Sequence, residues 1–494
     1  MKTKYISILI LCLLCMGAIQ AQTKSFKRGI SYNIPTLGDA KALSDGLTWF
    51  YNWGYGPAED ISDTIVKLGL DYIPMTWNGG IQTETLRSYF RANPQIKYIL
   101  AFNEPNFLEQ ANMTPSAAAA KWPEIEAIAD EFGLKIVSPA VNYAPANGAV
   151  SENGVTYTDP VQWLDDFFAA CPECRVDYIA IHCYMNYSSA LKSYVNRFKK
   201  YGKPIWLTEF CAWESGVTDL LQRNYMAESV NYLESDPDVY RYSWFIGRAG
   251  GTGSYPYMQL LGRYEGQLTE KGLIYVNMSS FDDNYYHALN DTIQAEHYVQ
   301  VADGVHLEQS TDVSGTLDLC DFLESRWAVY NVDVPETGDY KMSFRVATEY
   351  ATQIQISLDG VVLAKQDIDI TGGLNQWQTI STQIHLDKGK QKLRIEPSKG
   401  RINLNWLMFE NGSSSIGSND VAPVSLYPNP VKDILHIDSP LYTSYSLTDS
   451  AGKTLLSGNI QSQSINLTKL SSGVYFLSIS TNDGQKQVKK LIKN

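Results

Sequence analysis

Between about residues 26 and 285, short strand-like runs alternate with helix-sized segments, and this rhythm limits the choice of fold more than any other feature. The runs are Gly29–Asn33, Thr48–Trp53, Asp71–Trp77, Ile96–Asn103, Lys135–Asn142, Val176–Tyr184, Pro204–Phe210 and Val239–Ile246. Helical stretches are expected over Ala58–Leu68, Ala117–Phe132, Gln162–Ala170, Ser188–Lys200 and Leu220–Ser235. Thr114-Pro115 supplies a cap and a first-turn proline for the second of these. Eight β-α units in this length predict a (β/α)8 TIM barrel, which carries its chemistry at the C-terminal ends of its strands.

Two of the runs end on a carboxylate. Tyr98-Ile-Leu-Ala-Phe102 stops on an Asn103-Glu104-Pro105 corner, where proline cannot continue the ladder. Pro204-Ile-Trp-Leu-Thr208 carries Glu209 near its end. On strands four and seven of one barrel, these two side chains would face each other across the same mouth, as acid and nucleophile do in a glycosidase. For a retaining reaction their carboxyls should lie ~5–5.5 Å apart. Glu209 is then the nucleophile and Glu104 the acid/base, its pKa raised by its ionised neighbour. Other strand ends are aromatic or polar: Tyr51, Asn52, Trp53, Trp77, Asn142, His182, Tyr184 and Trp244. Substrate contacts are expected from Asn52, Trp53, Trp77, Asn103, His182, Tyr184 and Trp244, and Glu214 is a further candidate for the cleft wall.

A net charge of −13 and a pI near 5 argue against nucleic acid as a partner. Lys2 and Lys4, the apolar Ile6–Met16 and small residues to Ala21 read as a secretory signal over 1–21. After it no run reaches the ~18 apolar residues of a membrane span. Cys171-Pro-Glu-Cys174 has no matching half for zinc, so a local disulfide is expected, with Cys183, Cys211 and Cys320 as small core residues.

These motifs resemble glycoside hydrolase family 128. The resemblance is carried by Trp49–Trp53, Ile73–Trp77, Leu100–Asn106, Cys171–Tyr184 and Trp206–Phe210. It implies a retaining, endo-acting hydrolase of β-1,3-glucan that needs no cofactor or metal for catalysis. Two other readings stay open, a hydrolase of another β-linked polysaccharide and a non-catalytic surface glycan-binding protein.

Beyond the catalytic domain, set at 22–285, helical spacing gives way over 286–410 to alternating runs with Gly, Asp and Thr turns, the pattern of a β-sandwich. This segment resembles a family 6 carbohydrate-binding module through Ile293–Glu296, Arg326–Tyr330, Thr337–Tyr340, Thr371–Gly373 with Trp377, and Asn403–Trp406. The resemblance implies that Trp377 and an aromatic of the Trp327/Tyr330 segment sandwich a sugar that Asn405 hydrogen-bonds. It also implies a structural Ca²⁺ at Glu296. A linker over 411–424 leads to a small Ig-like β domain over 425–494. That domain resembles the sorting domain of type IX secretion substrates through Tyr427-Pro-Asn-Pro430, Leu470–Phe476 and Lys489–Lys493. The implied partners are β-glucan and the type IX machinery, and the implied location is secreted or cell-surface after passage through the periplasm.

Overall fold

The computed structural model describes residues 22–250, 253–313, 316–411, 424–449, 453–460, 462–481 and 486–494. The expected signal over 1–21 and most of the expected linker lie outside the described residues. The chain forms two compact units, Met1–Ser413 and Ser414–Asn494.

In the first unit eight strands line up with the eight runs: β1 (Arg28–Ser31), β2 (Trp49–Tyr51), β3 (Asp71–Tyr72), β4 (Tyr98–Leu100), β5 (Lys135–Val137), β6 (Ile179–Cys183), β7 (Ile205–Phe210) and β8 (Val239–Trp244). Six pair in parallel in the order β3-β2-β1-β8-β7-β6, and β4 pairs with β5. Single parallel bridges, Met75 to Leu100 and Val137 to Tyr178, link that pair to the flanking strands. The strands are apolar on both sides, as expected of a parallel layer covered by helices: every residue of β6 and β7 is buried.

Helices α1 (Leu37–Ser44), α2 (Ser62–Ile65), α3 (Thr83–Ala92), α4 (Pro115–Phe132), α5 (Pro160–Ala170), α6 (Ser188–Phe198), α7 (Asp219–Ser235) and α8 (Glu270–Asn277) follow the strands. The caps are written in the sequence. Thr114, Asp159, Thr218 and Thr269 accept from the first free N–H groups of α4, α5, α7 and α8, and Pro115 and Pro160 occupy the first turn. Gly133, at φ +64, ends α4 in a left-handed turn. The helix expected over Ala58–Leu68 shrinks to a 3-10 turn and the four residues of α2. Its Ser62-Asp-Thr core competes for the backbone and favours turns.

One end of the strand layer is plugged. Arg241 lies over the rings of Trp49, Tyr98 and Trp206 at 5.5, 5.0 and 5.2 Å. These rings sit near the N-terminal ends of β2, β4 and β7, and Arg241 near that of β8, which leaves the opposite ends for a cleft.

Residues 287–411 form two packed sheets. One contains Ala328–Val334, Gly389–Lys399, Thr352–Leu358 and Val361–Ile368; the other contains His306–Gln309, Leu317–Leu323, Arg401–Asn411, Gly338–Thr348 and Gly373–Leu386. Alternate residues of each, such as Tyr330, Ile356 and Ile395 against Phe344, Leu404 and Leu407, fill the space between them. Among its described residues the second unit has strands alone, in sheets of three and four, and Leu435, Ile437, Leu447, Ile465, Leu477 and Ile479 lie in its core. Among the described residues, no helix is long and apolar enough to cross a membrane.

Candidate active site

Glu104 follows β4 on the corner that the Asn-Glu-Pro sequence dictates. Its N–H bonds Ala140 O at 2.8 Å, and its neighbour's, Asn103 N–H, bonds Trp77 O at 2.9 Å, so the corner is held from both sides. Glu104 takes a φ of +40 and Trp53 one of +64, a conformation that costs an L side chain roughly 1–3 kcal/mol and gathers at functional sites.

Glu209 arrives by a different device. Against β6, Ile181 pairs with Leu207 and His182 with Glu209; against β8, Tyr242 pairs with Leu207 and Trp244 with Phe210. Both neighbours register the same extra residue, so β7 is bulged at Thr208. A bulge redirects the side chains beside it. The freed Thr208 carbonyl accepts from Ser243 Oγ and from Tyr51 Oη at 3.2 Å.

The two carboxyls meet around a buried imidazole. One oxygen of Glu104, one of Glu209 and a ring nitrogen of His182 all lie within 4.8 Å of one another. His182 Nδ1 is 3.0 Å from Glu104 Oε1 and 3.4 Å from Glu209 Oε2. Its Nε2 is buried with no partner, so the neutral ring carries its proton on Nδ1 and donates it toward the carboxylates. Burial pulls the His182 pKa down, but Glu209 and Glu104 more than offset this and raise it.

Glu209 Oε1 accepts from Tyr51 Oη at 2.9 Å and from Trp53 Nε1 at 2.7 Å, while Oε2 accepts from Tyr184 Oη. Burial raises the pKa of Glu209 and the adjacent Glu104 charge adds to this; His182, Tyr184 and Trp53 oppose it. Tyr51 and Tyr184, themselves held well above the ordinary tyrosine range by burial, remain neutral donors. The net shift is upward, and these hydrogens favour the anionic form of Glu209 against it. The same hydrogens would face any cation placed between the three side chains, although their donor types suit a metal.

Glu104 is bound more lightly. Oε1 accepts from Asn142 Nδ2 at 3.1 Å and from His182. Asn106 fixes that amide's backbone by donating to Asn142 O at 2.7 Å and Tyr157 O at 3.3 Å. Among the described residues Oε2 has no hydrogen-bond partner, which leaves it for a ligand.

A cleft of about 930 Å³ opens above the pair. Asn103, Asn142 and Gln110 line one side; Tyr184, Trp213, Glu214, Phe245 and Tyr255 line the other. Trp213 stacks on Phe245 at 5.4 Å and tilts against Tyr255 at 5.4 Å. Asn103 Oδ1 is buried without a partner, its amide held by Gln110 at 3.2 Å.

The structure therefore brings together Glu104, Glu209, Asn103, His182, Tyr184 and Trp53, and Glu214 joins them on the wall. Three expected substrate residues stand elsewhere. Trp244 is fully buried, donates its indole N–H to Met258 O at 2.7 Å and packs on Phe210. The alternation of β8 turns it toward the helices. The Asn52 amide is spent on Asn33, Gly56, Gly54 and Tyr72, shaping the loop after β2. Trp77 supports Asn103 through its carbonyl, and its ring does not line the cleft. Tyr51, Asn142, Trp213 and Phe245 were not among the expected contacts. Tyr51 and Asn142 carried a signal, as polar or aromatic strand ends, whereas Trp213 and Phe245 lie in loops whose path the sequence does not show.

In the module, Tyr330 is fully buried and donates to Ala295 O at 2.7 Å, so it is core and does not face a sugar. Trp327 lies under the Arg394 guanidinium at 4.6 Å, beside one sheet, while Trp377 is on the other. The expected aromatic sandwich is not formed by these residues. Asn405 is as fully buried as Tyr330 and gives Nδ2 to Asp312 Oδ2 at 2.9 Å, so it does not face a sugar either, whereas Trp377 is half-buried and donates Nε1 to Thr311 Oγ1 at 3.0 Å. Cys171 and Cys174 form the expected disulfide, with Cα atoms 5.3 Å apart, and Cys183, Cys211 and Cys320 are free and buried.

Residues 29–275 match the family described as glycosyl hydrolase catalytic core. The chain belongs to that family. Next to this glycosyl hydrolase core, residues 294–411 match carbohydrate binding module family 6, and 425–494 match a secretion system C-terminal sorting domain, which implies secretion or a cell-surface location. The chain is 28% identical over 271 residues to alkali-sensitive linkage protein 1 of Schizosaccharomyces pombe, covering 51% of this chain and 45% of that protein. Over 120 residues it is 38% identical to the clotting factor G alpha subunit of Tachypleus tridentatus, covering 23% and 18%. The chain thus spans less than half the length of these curated relatives. A solved family 128 (subgroup II) endo-β-1,3-glucanase from Pseudomonas viridiflava is 39% identical, with 52% of this chain and 98% of that one covered and a TM-score of 0.47.

Proposed function

We propose that this protein is a secreted, retaining, endo-acting hydrolase of β-1,3-glucan. The observation that carries the reading is the meeting of Glu104 and Glu209 around His182, with one oxygen of each within 4.8 Å of the other. An inverting pair needs roughly 6.5–9.5 Å to admit a water, whereas a retaining pair sits ~5–5.5 Å apart. In the first step a Glu209 oxygen bonds the anomeric carbon, the glycosidic C–O bond breaks, and Glu104 gives its proton to the leaving oxygen. In the second, Glu104 takes a proton from water, whose oxygen displaces Glu209 and restores it as a carboxylate. The linkage rests on the family 128 resemblance of the motifs.

The eight strands and their single bridges support a (β/α)8 barrel, with 22–285 as the catalytic domain, 286–410 as the glycan-binding module and 425–494 as a type IX sorting domain reached by way of the periplasm. Within the module, Glu296 Oε2 and Asp318 Oδ1 are buried without partners. Burial pushes both carboxyls up, each to about 8. Such orphaned carboxylate oxygens are the donors Ca²⁺ prefers, so Glu296 and Asp318 would hold that ion and gain a compensating charge.

The test is release of reducing sugar from laminarin-type glucan, curdlan, lichenan and xylan, with the anomer of the first product read by proton NMR. Release of the β-anomer from β-1,3-glucan is expected. An α-anomer overturns retention; silence on every substrate, with binding intact, leaves a surface glycan binder.

A further inference from the structure

The plug at the N-terminal end of the strand layer holds a buried charge whose hydrogens are not all used. Strand β8 is bulged at Tyr240, since Val239 pairs with Ile205 and Arg241 with the next residue, Trp206. That extra residue sets Arg241 on the same inner face as Trp206. There the guanidinium is boxed by three rings that also touch one another: Trp49 and Trp206 lie 5.1 Å apart, as do Tyr98 and Trp206. Ring faces stabilise the cation, but the N–H groups that point along the guanidinium plane still need acceptors.

Those acceptors are missing. Among the described residues Arg241 Nε and Nη1 are buried with no hydrogen-bond partner, and so is Nε1 of Trp206, whose ring centroid is 5.2 Å from the guanidinium carbon. Arg241 is 6% exposed and Trp206 not at all. The other polar groups of the box are engaged: Trp49 Nε1 donates to Lys27 O at 2.9 Å, and the Tyr98 and Tyr240 hydroxyls meet at 2.6 Å. Counter-charge is weak. Asp71 comes only to 3.7 Å from Nη2, and its side chain is 48% exposed, so water screens it. Burial accordingly pulls the Arg241 pKa below the ordinary arginine range, with Asp71 opposing. A buried charge without a hydrogen-bonded partner is costly, and an orphaned buried donor marks a place for a water or an ion.

The donors discriminate between those two. Guanidinium and indole offer hydrogens and no lone pair. A water accepting from them would have to aim its own two hydrogens at ring faces already turned on the guanidinium, whereas an anion has none to place. One weakly compensated positive charge matches a monovalent ion. We propose that the base of the strand layer binds a single halide ion, chloride being the common one, held by the Arg241 guanidinium and Trp206 Nε1. Tyr98, Tyr178, Tyr240 and Asp71 border the box and are all half-buried, which gives the ion its way in. The site lies at the end of the strands opposite the cleft, and it holds the plug together whatever the cleft hydrolyses.

The experiment is thermal unfolding of the full chain in sodium chloride, sodium bromide and sodium methanesulfonate at equal ionic strength, together with crystals grown in bromide. Halide should raise the melting temperature in a saturable way, by about 2–4 °C, and methanesulfonate should not. Anomalous scattering should place one bromide within hydrogen-bond reach of the Arg241 guanidinium and Trp206 Nε1. Trp206→Phe keeps a ring, deletes one donor and should weaken halide affinity several-fold. Arg241→Met removes the charge and should abolish the response; should that variant fail to fold, the Trp206→Phe titration and the bromide map decide. Melting that follows ionic strength alone, a water where the bromide should be, or a halide response unchanged by Trp206→Phe overturns the proposal.

Discussion

His182 pairs with Glu209 across the β6–β7 ladder because Thr208 is squeezed out of register between them. Without that extra residue the two-residue alternation would turn Glu209 toward the helices and put Thr208 in its place. The meeting of Glu209 with Glu104, the pair proposed as catalytic, therefore depends on a backbone irregularity, and the groups that secure it become testable.

Ser243 and Tyr51 both donate to the carbonyl of the bulged residue. Replacing Ser243 by alanine removes one buried hydrogen bond, worth about 1 kcal/mol. The expected result is a small fall in melting temperature and a several-fold fall in kcat with little change in KM, measured by steady-state kinetics on soluble glucan. An equal change in KM would place Ser243 at the substrate instead.

Trp53→Phe keeps the ring against Phe245 but deletes the N–H that Glu209 Oε1 accepts at 2.7 Å. Hydrogen bonds to a charged group are worth about 1.5–3 kcal/mol, so kcat/KM should drop roughly 10- to 100-fold. Restored activity in the phenylalanine variant would mean that the indole N–H does not serve the nucleophile.

Glu104→Gln removes the proposed proton donor and should lower kcat by ~10²–10⁴-fold on glucan. Substrates with a good leaving group need little protonation, so an activated aryl glycoside should recover much of the first step and pile up the glycosyl-enzyme, seen by mass spectrometry as an adduct on Glu209. An adduct elsewhere would refute the assignment.

Glu296 and Asp318 carry folded-state values of about 8, well above their ordinary range. Between pH ~4 and 8 the unfolded chain has released protons that the folded chain keeps. Their contribution to stability is fully present below the unfolded values and is lost as pH rises through 8, at about 1.4 kcal/mol per pH unit for each group. In EDTA the melting temperature should fall from pH 5 to pH 8. Added Ca²⁺ should flatten that slope, and Glu296→Gln with Asp318→Asn should abolish the response. A melting temperature indifferent to pH and calcium would refute both statements.

The strand-helix rhythm, the helix caps, the Asn-Glu-Pro corner and the disulfide were legible because each is a local property. A Thr before a proline caps a helix wherever it lies, and two cysteines three residues apart can meet without help from the rest of the chain. Trp244 and Tyr330 read like site aromatics, yet both are core. Which face a strand residue takes depends on the register of its neighbours, and a single bulge reverses it.

By itself, then, the sequence determined that Glu104 and Glu209 would close two buried strands, since hydrophobic runs and a proline corner are written in consecutive residues. Only the tertiary structure decided that they share His182 and that Tyr51 and Trp53 come from another strand to hold Glu209. Those contacts join residues up to 158 positions apart, and packing of the whole chain, rather than any local preference, brings them within hydrogen-bond reach.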